Sequence, residues 1–534
     1  MLFLQGMNIR TISKPADEYD YVIIGSGFGG SVAALRLTEK GYRVLVIEKG
    51  RRFLPEEFPE TNWKIRKWLW IPSIRFFGFF KMTFFRHVGV LSGVGVGGGS
   101  LVYANTLPRP PRQFFTSGSW AGLADWENEL APFYDIAEKI LGSAVNPKLF
   151  DSDLALKRVA EETGAGNLFE PTKVSVFFGE PEKIVPDPYF DGAGPDREGC
   201  SFCGGCMTGC RHNAKNSLDK NYLWLAAQKG MDILPEHLVT VIRPTGSDDG
   251  SEGYEITAKK ITSFLIHKKI KIRTSGVVIA GGVLGTVRLL LNMKRKHLPE
   301  LSNKTGCFIR TNNESLVLID SRDFSKDFSK GVAIGSIYPP DDNSHVEPVR
   351  YGSGSGFWKM LGVPLTHGSG VFTRIGKLIW HLIRHPWSWL HLYFTKDHAR
   401  QSVILLFMQH LNSTLRLKRG LFTLRSKISE GQAPTAFMAE SKKLAEEVSS
   451  VIKGKPFVLV TEAVTGIPTT AHILGGAVIG RTAEEGVIDS NHSVFGYKNM
   501  YICDGSAISA NPGVNPSLSI TAMAERAMNI IPAK

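Results

Sequence analysis

Three glycines near the start, Gly25, Gly27 and Gly30, constrain this chain more than any other feature. They follow the apolar run DYVII (20–24) and open SVAALRLTEKG, a helical pattern that Gly41 stops. RVLVIEKG then supplies a second apolar strand. Strand, glycine turn, helix and strand within about 30 residues make a βαβ unit that can hold a dinucleotide. Gly25 permits the tight turn, Gly27 lets the backbone approach a pyrophosphate, and Gly30 lets helix and strand pack closely. The helix turns its positive dipole end to the phosphates. Glu48 ends the second strand, 18 residues after Gly30. Its carboxylate suits the hydroxyls of an adenosine ribose and repels a 2′-phosphate, which disfavours NADP. On the motif alone FAD and NAD stay open, beside the plainer reading of an ordinary glycine turn.

The same grammar returns later. Residues 276–291, GVVIAGGVLGTVRLLL, read as strand, glycine turn and helix. Near the end, NMYICD (499–504) is a buried strand, and PSLSITAMAERAMNII is a closing helix. SLVLID (315–320) and QSVILLFM (401–408) read as strands of the intervening material. The expected class is α/β, or α+β overall. A Rossmann-like domain is assembled from the discontinuous segments 18–145, 211–312 and 460–534. A substrate domain with an antiparallel sheet takes 146–210 and 313–459.

Hydrophobic residues are 43% and charged residues 21%, as in ordinary globular chains. The formal charge of +13 suits an anionic membrane surface as well as nucleic acid. No nucleic-acid reader motif appears, so no such partner is expected. No apolar stretch reaches the roughly 18 residues that a membrane span needs. The opening MLFLQGMNIR lacks the pattern of a secretory leader, and Met7 reads as the native start. Six cysteines, four of them between 200 and 210, do not form a secreted disulfide framework. The expected location is the cytoplasm, with a peripheral place on the inner membrane face as an addition.

Three further stretches stand out: GVLSGVGVGGGSLVYANTL (89–107), AHILGGAVIG (471–480) and YKNMYICDGSAISANPGVNPSLSITAMAER (497–526). With the opening loop, they resemble the GMC (glucose-methanol-choline) flavoprotein oxidoreductases, above all the bacterial cholesterol oxidase group. The resemblance implies FAD rather than NAD. It implies that Gly95, Gly97, Gly98, Gly99 and Ser100 run beside the flavin and pyrophosphate, with Asn105 near the isoalloxazine edge. Val239 falls on a strand that in the family flanks the adenine. Asp504 and Gly505 match a second flavin contact, and Asn515 and Pro516 reach the flavin ring.

Oxidising an alcohol removes a hydride, which the cofactor accepts, and a proton, which the protein must take. The resemblance gives that work to His472 and Asn515. Two departures are Ile473, where the family has proline, and Ala477, where it often has cysteine. Neither removes a reacting group. Glu347 lies near the place where sterol-oxidising relatives carry an acid that moves a ring proton. Such an acid needs an apolar pocket; on the residue alone, a solvated surface glutamate is the other reading.

Cys200, Cys203, Cys206 and Cys210 have the C-x2-C-x2-C-x3-C spacing of a ferredoxin run, with Arg211 where ferredoxins have proline. One [4Fe–4S] cluster, a four-sulfur zinc, a thiol-rich turn and disulfides all remain open. A cluster would favour a dehydrogenase with an external electron acceptor; without one, oxygen is the simpler acceptor. Residues 63–86 and 373–384 mix aromatics with Lys and Arg, as at a membrane interface or the mouth of a lipophilic pocket; core packing is the alternative.

The sequence therefore leads to FAD-dependent oxidation of a bulky, sterol-like alcohol. Two other readings stay beside it. One is a dehydrogenase of isoprenoid or long-chain alcohols that passes electrons through an iron–sulfur centre. The other is a membrane-associated flavoprotein without turnover, against which His472 and Asn515 speak.

Overall fold

The structure is a computed structural model that describes residues 9–263, 268–366, 370–411, 413–421 and 423–534. The reading of Met7 lies outside those residues.

The first apolar run forms β1 (Glu18–Ile24), the glycine turn leads into α1 (Phe28–Glu39), and β2 (Val44–Ile47) follows. These strands are buried on both faces, which explains why they read as continuous apolar runs and not as alternation. β1 pairs in parallel with β2 on one side and with Lys269–Ile279 on the other. Asp232–Leu234 extends the sheet beyond β2. Lys269–Ile279 is long enough to serve two partners on its far side. Its first half pairs antiparallel with Tyr254–Lys260, and its end pairs in parallel with Met500–Ile502.

The parallel strands end together, in register: Ile24 opposite Ile47 and Ile279, and Ile279 opposite Ile502. With Leu234 also opposite Ile47, five loops leave the same edge of the sheet. That edge, at the carboxyl ends of parallel strands, is where such sheets bind ligands. Above the sheet, α1 packs against the last helix, Ser517–Asn529. The two are clamped by Arg36, whose Nε and Nη2 reach Glu525 Oε2 and Oε1 at 2.6 and 2.9 Å.

A second sheet is antiparallel throughout. Its order is Gly362–Pro364, Gly454–Leu459, Ser315–Ser321, Ser402–Gln409, Ser344–Val349, Ser336–Asp341 and Glu170–Pro171. The two strands expected at 315–320 and 401–408 are its centre. Here period-two alternation sorts the side chains. Val317, Ile319, Val403, Leu405 and Phe407 enter a core roofed by helices Asp151–Glu162 and Ala439–Val451. Leu316, Leu318, Ile404 and Leu406 turn to the opposite face and wall a cavity. The mixed α/β class with an antiparallel second sheet is thus the one expected.

Candidate active site

A cavity of about 380 Å³ lies between the carboxyl edge of the first sheet and the outer face of the second. Gly27, Gly99, Asp504, Gly505, His472, Asn515 and Pro516 all line it. These residues come from four separated motifs, and the fold brings them to one place.

Three of the nucleotide-loop glycines serve three different contacts. A side chain at Gly25 would press on the Ala280 carbonyl at 2.3 Å, and its φ of +103° disfavours any L side chain. One at Gly30 would meet the Gly25 carbonyl at 2.1 Å. Gly27 is different: an added Cβ there meets nothing within 4 Å. That open space, at the N-terminus of α1, is where a pyrophosphate would lie. Gly95, Gly97, Gly98 and Ser100 sit behind it as a second layer. Ser26 Oγ lies 3.2 Å from the Gly95 carbonyl and accepts from Gly97 N–H at 3.2 Å. Ser100 Oγ accepts from Leu218 N–H at 3.0 Å, which fixes the end of the loop.

Glu48 is buried at the end of β2 and accepts from Ser26 N–H, Ser26 Oγ and Gly50 N–H at 3.1, 2.9 and 2.8 Å. Val239 is buried on His237–Pro244, the strand whose first N–H reaches the Glu48 carbonyl at 2.9 Å. Both therefore lie beyond the glycine loop, away from His472. Asn105 is fully buried between two cavity-lining neighbours, Ala104 and Thr106, with neither amide atom partnered. A buried amide left so is costly unless a ligand meets it. Together with the space over Gly27, it fits a flavin dinucleotide along this wall.

His472 is the best-supported side chain in the cavity. Its Nδ1 lies 2.9 Å from Glu314 Oε1. Glu314 is held in turn by Thr470 Oγ1 at 2.5 Å and Ala471 N–H at 2.9 Å. A carboxylate only accepts, so Nδ1 carries the proton and Nε2 presents its lone pair. Nε2 is 3.5 Å from Asn515 Nδ2. Burial works against a charged ring at His472, but the Glu314 carboxylate, with Glu347 behind it, outweighs burial and raises its pKa. Behind this pair, burial pushes Glu462 up to about 8, and Glu314 adds to the rise.

Glu347 is not solvated: its exposure is 0%. It shares the sheet face of Val349, two residues on, and stands opposite Leu406. Its Oε2 accepts from Asn515 Nδ2 at 3.2 Å, and its Oε1 lies 3.0 Å from His345 Nε2. Asn515 Oδ1 is buried without a partner. His345 itself lines a second cleft, of about 650 Å³.

Sequence reasoning missed Glu314, Glu462 and His345. Residues 311–315 (TNNES) carry no signal for Glu314, since its partner lies 158 positions away. The 63–86 segment is divided: Trp68, Phe79 and Phe80 join a core cluster, Phe80, Met82 and Phe84 wall the cavity, and Trp63, Ile71 and Ile74 stay exposed. The second basic segment is helix Val371–Arg384. Of its apolar residues only Leu378 is buried, so core packing does not account for the segment, and Arg374 turns inward to the Val464 carbonyl at 3.2 Å. Phe372 and Ile383 are 91% and 71% exposed, and Trp387 on the next helix is 81% exposed. Among the described residues no helix is long and apolar enough to cross a membrane. Among them, too, no three His, Cys, Asp or Glu side chains converge on one ion. The cysteines at 200, 203, 206 and 210 are free thiols around one small void.

Comparison with known proteins agrees with this arrangement. Family profiles described as GMC oxidoreductase match residues 192–295 and 428–524, and one for an NAD(P)-binding Rossmann-like domain matches 23–53. A cholesterol oxidase of Acinetobacter baumannii is 45% identical over 97% of this chain and 95% of its own length. A cholesterol oxidase of Mycobacterium tuberculosis is 44% identical over 97% and 92%. The crystal structure of pyridoxine 4-oxidase from Mesorbium loti shares the fold, with a TM-score of 0.61 at 15% identity, over 96% of this chain and 98% of that one.

Proposed function

The chain belongs to the GMC oxidoreductase family as an FAD-dependent oxidoreductase of CH–OH donors, and on that premise we propose that it oxidises the ring hydroxyl of a sterol, with oxygen as electron acceptor. The observation that carries the substrate class is the cavity wall. Phe80, Met82, Leu91, Trp358, Leu361 and Leu406 offer a broad apolar surface around very few polar groups. Such a wall suits a rigid hydrocarbon with a single hydroxyl. The two cholesterol oxidases support the same reading.

Bound FAD supplies the hydride acceptor. His472 Nε2 takes the hydroxyl proton, and the Glu314 carboxylate stabilises the imidazolium that forms. Asn515 orients the hydroxyl by donating to its oxygen from Nδ2, the amide atom that lies 3.5 Å from His472 Nε2. Glu347 is placed, beside Asn515, to carry a proton between ring carbons of the ketone product. Gly27 and the α1 N-terminus hold the pyrophosphate, and Glu48 and Val239 serve the adenosine end.

The test is anaerobic titration of the purified flavoprotein with cholesterol, a linear long-chain alcohol and an isoprenoid alcohol. Bleaching of the flavin by cholesterol at the lowest concentration is expected, with a conjugated enone as product. Preference for a linear alcohol overturns the substrate class; an unconjugated ketone as sole product removes Glu347 from the chemistry.

Glu314 positions His472, so Glu314→Gln has two expected effects. The imidazolium loses its counter-charge, and kcat falls by about 10²-fold or more. The raised pKa of His472 also falls. The active form is the neutral ring, so the acid limb of the kcat profile moves to lower pH. A profile that keeps its limb argues that Glu314 is merely structural.

A lipid surface is the second partner proposed. Helices Val371–Arg384 and Pro386–Phe394 expose Phe372, Trp380, Ile383 and Trp387 beside Lys377 and Arg384. They pack on strand Gly362–Pro364, whose Gly362 lines the cavity. Co-sedimentation with anionic phosphatidylglycerol vesicles is expected, and the double variant Phe372→Ser, Trp387→Ser is expected to lose most of it. Equal sedimentation of variant and parent removes these helices from the surface.

A further inference from the structure

The loop at 200–210 gathers more than its four thiols. Cys200, Cys203, Cys206 and Cys210 line one void, with His212 and Lys215 in its wall. Three cations are buried around it: Arg197 is 1%, Lys215 2% and Lys220 8% exposed. Their hydrogen bonds go to neutral acceptors. Lys215 Nζ donates to the carbonyls of Leu101, Tyr103 and Cys206 at 3.1, 3.0 and 2.9 Å. Arg197 donates to the carbonyls of Asn213 and Ala214 at 2.9 Å each, and to the Asn216 amide oxygen. Lys220 Nζ donates to the Lys215 carbonyl at 3.3 Å. Among the described residues none of the three makes an ion pair with a carboxylate.

Burying a charge away from water is costly unless an anion compensates it. Neutral thiols would leave these cations beside uncharged sulfur. The Asp219 carboxylate acts on all three cations, and thiolates bound to a metal centre would add negative charge beside Lys215, which lines the void itself. The loop is also wound tightly: a side chain at Gly204 (φ +68°) would strike the Ser329 carbonyl at 2.2 Å. Its spacing is that of a ferredoxin run.

Zinc does not suit this arrangement. Four-sulfur zinc holds every sulfur about 2.3 Å from one ion, and no such convergence exists among the described residues. A [4Fe–4S] cube binds each thiolate at a separate iron corner, so its sulfurs stand farther apart. We propose that Cys200, Cys203, Cys206 and Cys210 bind one [4Fe–4S] cluster, with Arg197, Lys215 and Lys220 as its buried counter-charges. Its place is beside the catalytic cavity. Met207, next to Cys206, lines that cavity, and Lys215 ties the Cys206 carbonyl to the end of the glycine loop. The proposal is independent of which alcohol is oxidised, and it assigns the cluster no electron transfer, so oxygen stays the acceptor.

The test uses the full chain, produced with ample iron and purified without oxygen. Iron, acid-labile sulfide, zinc and FAD are measured on one sample, and EPR spectra are recorded after dithionite reduction. About four iron and four sulfide per chain are expected, with the low-temperature signal of a reduced [4Fe–4S] cluster. Cys203→Ser is expected to lower iron and sulfide while FAD content stays. Lys215→Met keeps all four thiols, and the loss of a nearby positive charge is expected to shift the cluster potential downward. An iron-free chain with full FAD, or stoichiometric zinc without sulfide, overturns the proposal. Because FAD is read separately, failure of the cluster and failure of the flavin reading are distinguishable.

Discussion

His472→Asn is expected to slow alcohol-dependent bleaching of the flavin by about 10²- to 10⁴-fold, the range that a positioned general base contributes. The imidazole is the one cavity group whose tautomer the structure fixes: Glu314 takes Nδ1, which leaves Nε2 free to accept. Asparagine keeps a donor for Glu314, so the buried carboxylate is not stranded. Its amide nitrogen has no basic lone pair, so the proton has no acceptor. FAD content and melting temperature should match the parent, because His472 reaches Glu314 and not the glycine loops. Stopped-flow absorbance under nitrogen reads the bleaching step directly. An unchanged rate constant would take His472 out of the chemistry.

Gly27→Val is expected to leave a folded chain that no longer holds its cofactor. The contrast with its neighbours makes this sharp. A side chain at Gly30 collides with the Gly25 carbonyl, whereas one at Gly27 points into open space from an ordinary extended backbone (φ −73°, ψ −168°). The valine methyls would occupy the volume assigned to the pyrophosphate. FAD affinity should fall by at least about 10²-fold, or about 2.7 kcal/mol. Far-ultraviolet circular dichroism should be unchanged. Gly30→Val should instead fail to fold. Normal FAD content in Gly27→Val would move the pyrophosphate elsewhere.

Much of the frame was legible, and the reason is local. In β1, α1 and β2 the apolar runs and the glycines decide the outcome within one short stretch. The cavity wall was legible only in part. Leu316 and Leu318 alternate with Val317 and Ile319, but period two does not say which face meets a core and which a cavity. Glu347 became interpretable only through the register that sets it opposite Leu406. Glu314 was beyond reach because a bridge between Arg310 and Leu474, distant in the chain, brings its neighbourhood to His472. The aromatic segment at 63–86 shows the limit of composition. Tryptophan and phenylalanine amid basic residues look alike whether they meet lipid or, as with Trp68 and Phe79, other side chains. Helix Val371–Arg384 is the opposite case, with most of its apolar side chains outside the core. Arg374 takes the inner face, with its guanidinium 5.1 Å from the Phe437 ring centre, and so turns the apolar stripe outward.

The strand Met500–Ile502 and the helix Ser517–Asn529 follow β1 by more than 470 residues, yet they complete the sheet that β1 begins. Until they arrive, Lys269–Ile279 has a bare edge, Arg36 lacks Glu525, and the cavity has neither Asp504 nor Asn515. Pairing over such sequence distances is slow and leaves apolar strand surface exposed meanwhile. A nascent chain therefore needs shelter until these segments are made. Cofactor capture waits on these segments, and a stop codon shortly before residue 500 removes the sheet edge and the cavity's Asp504 and Asn515 at a stroke.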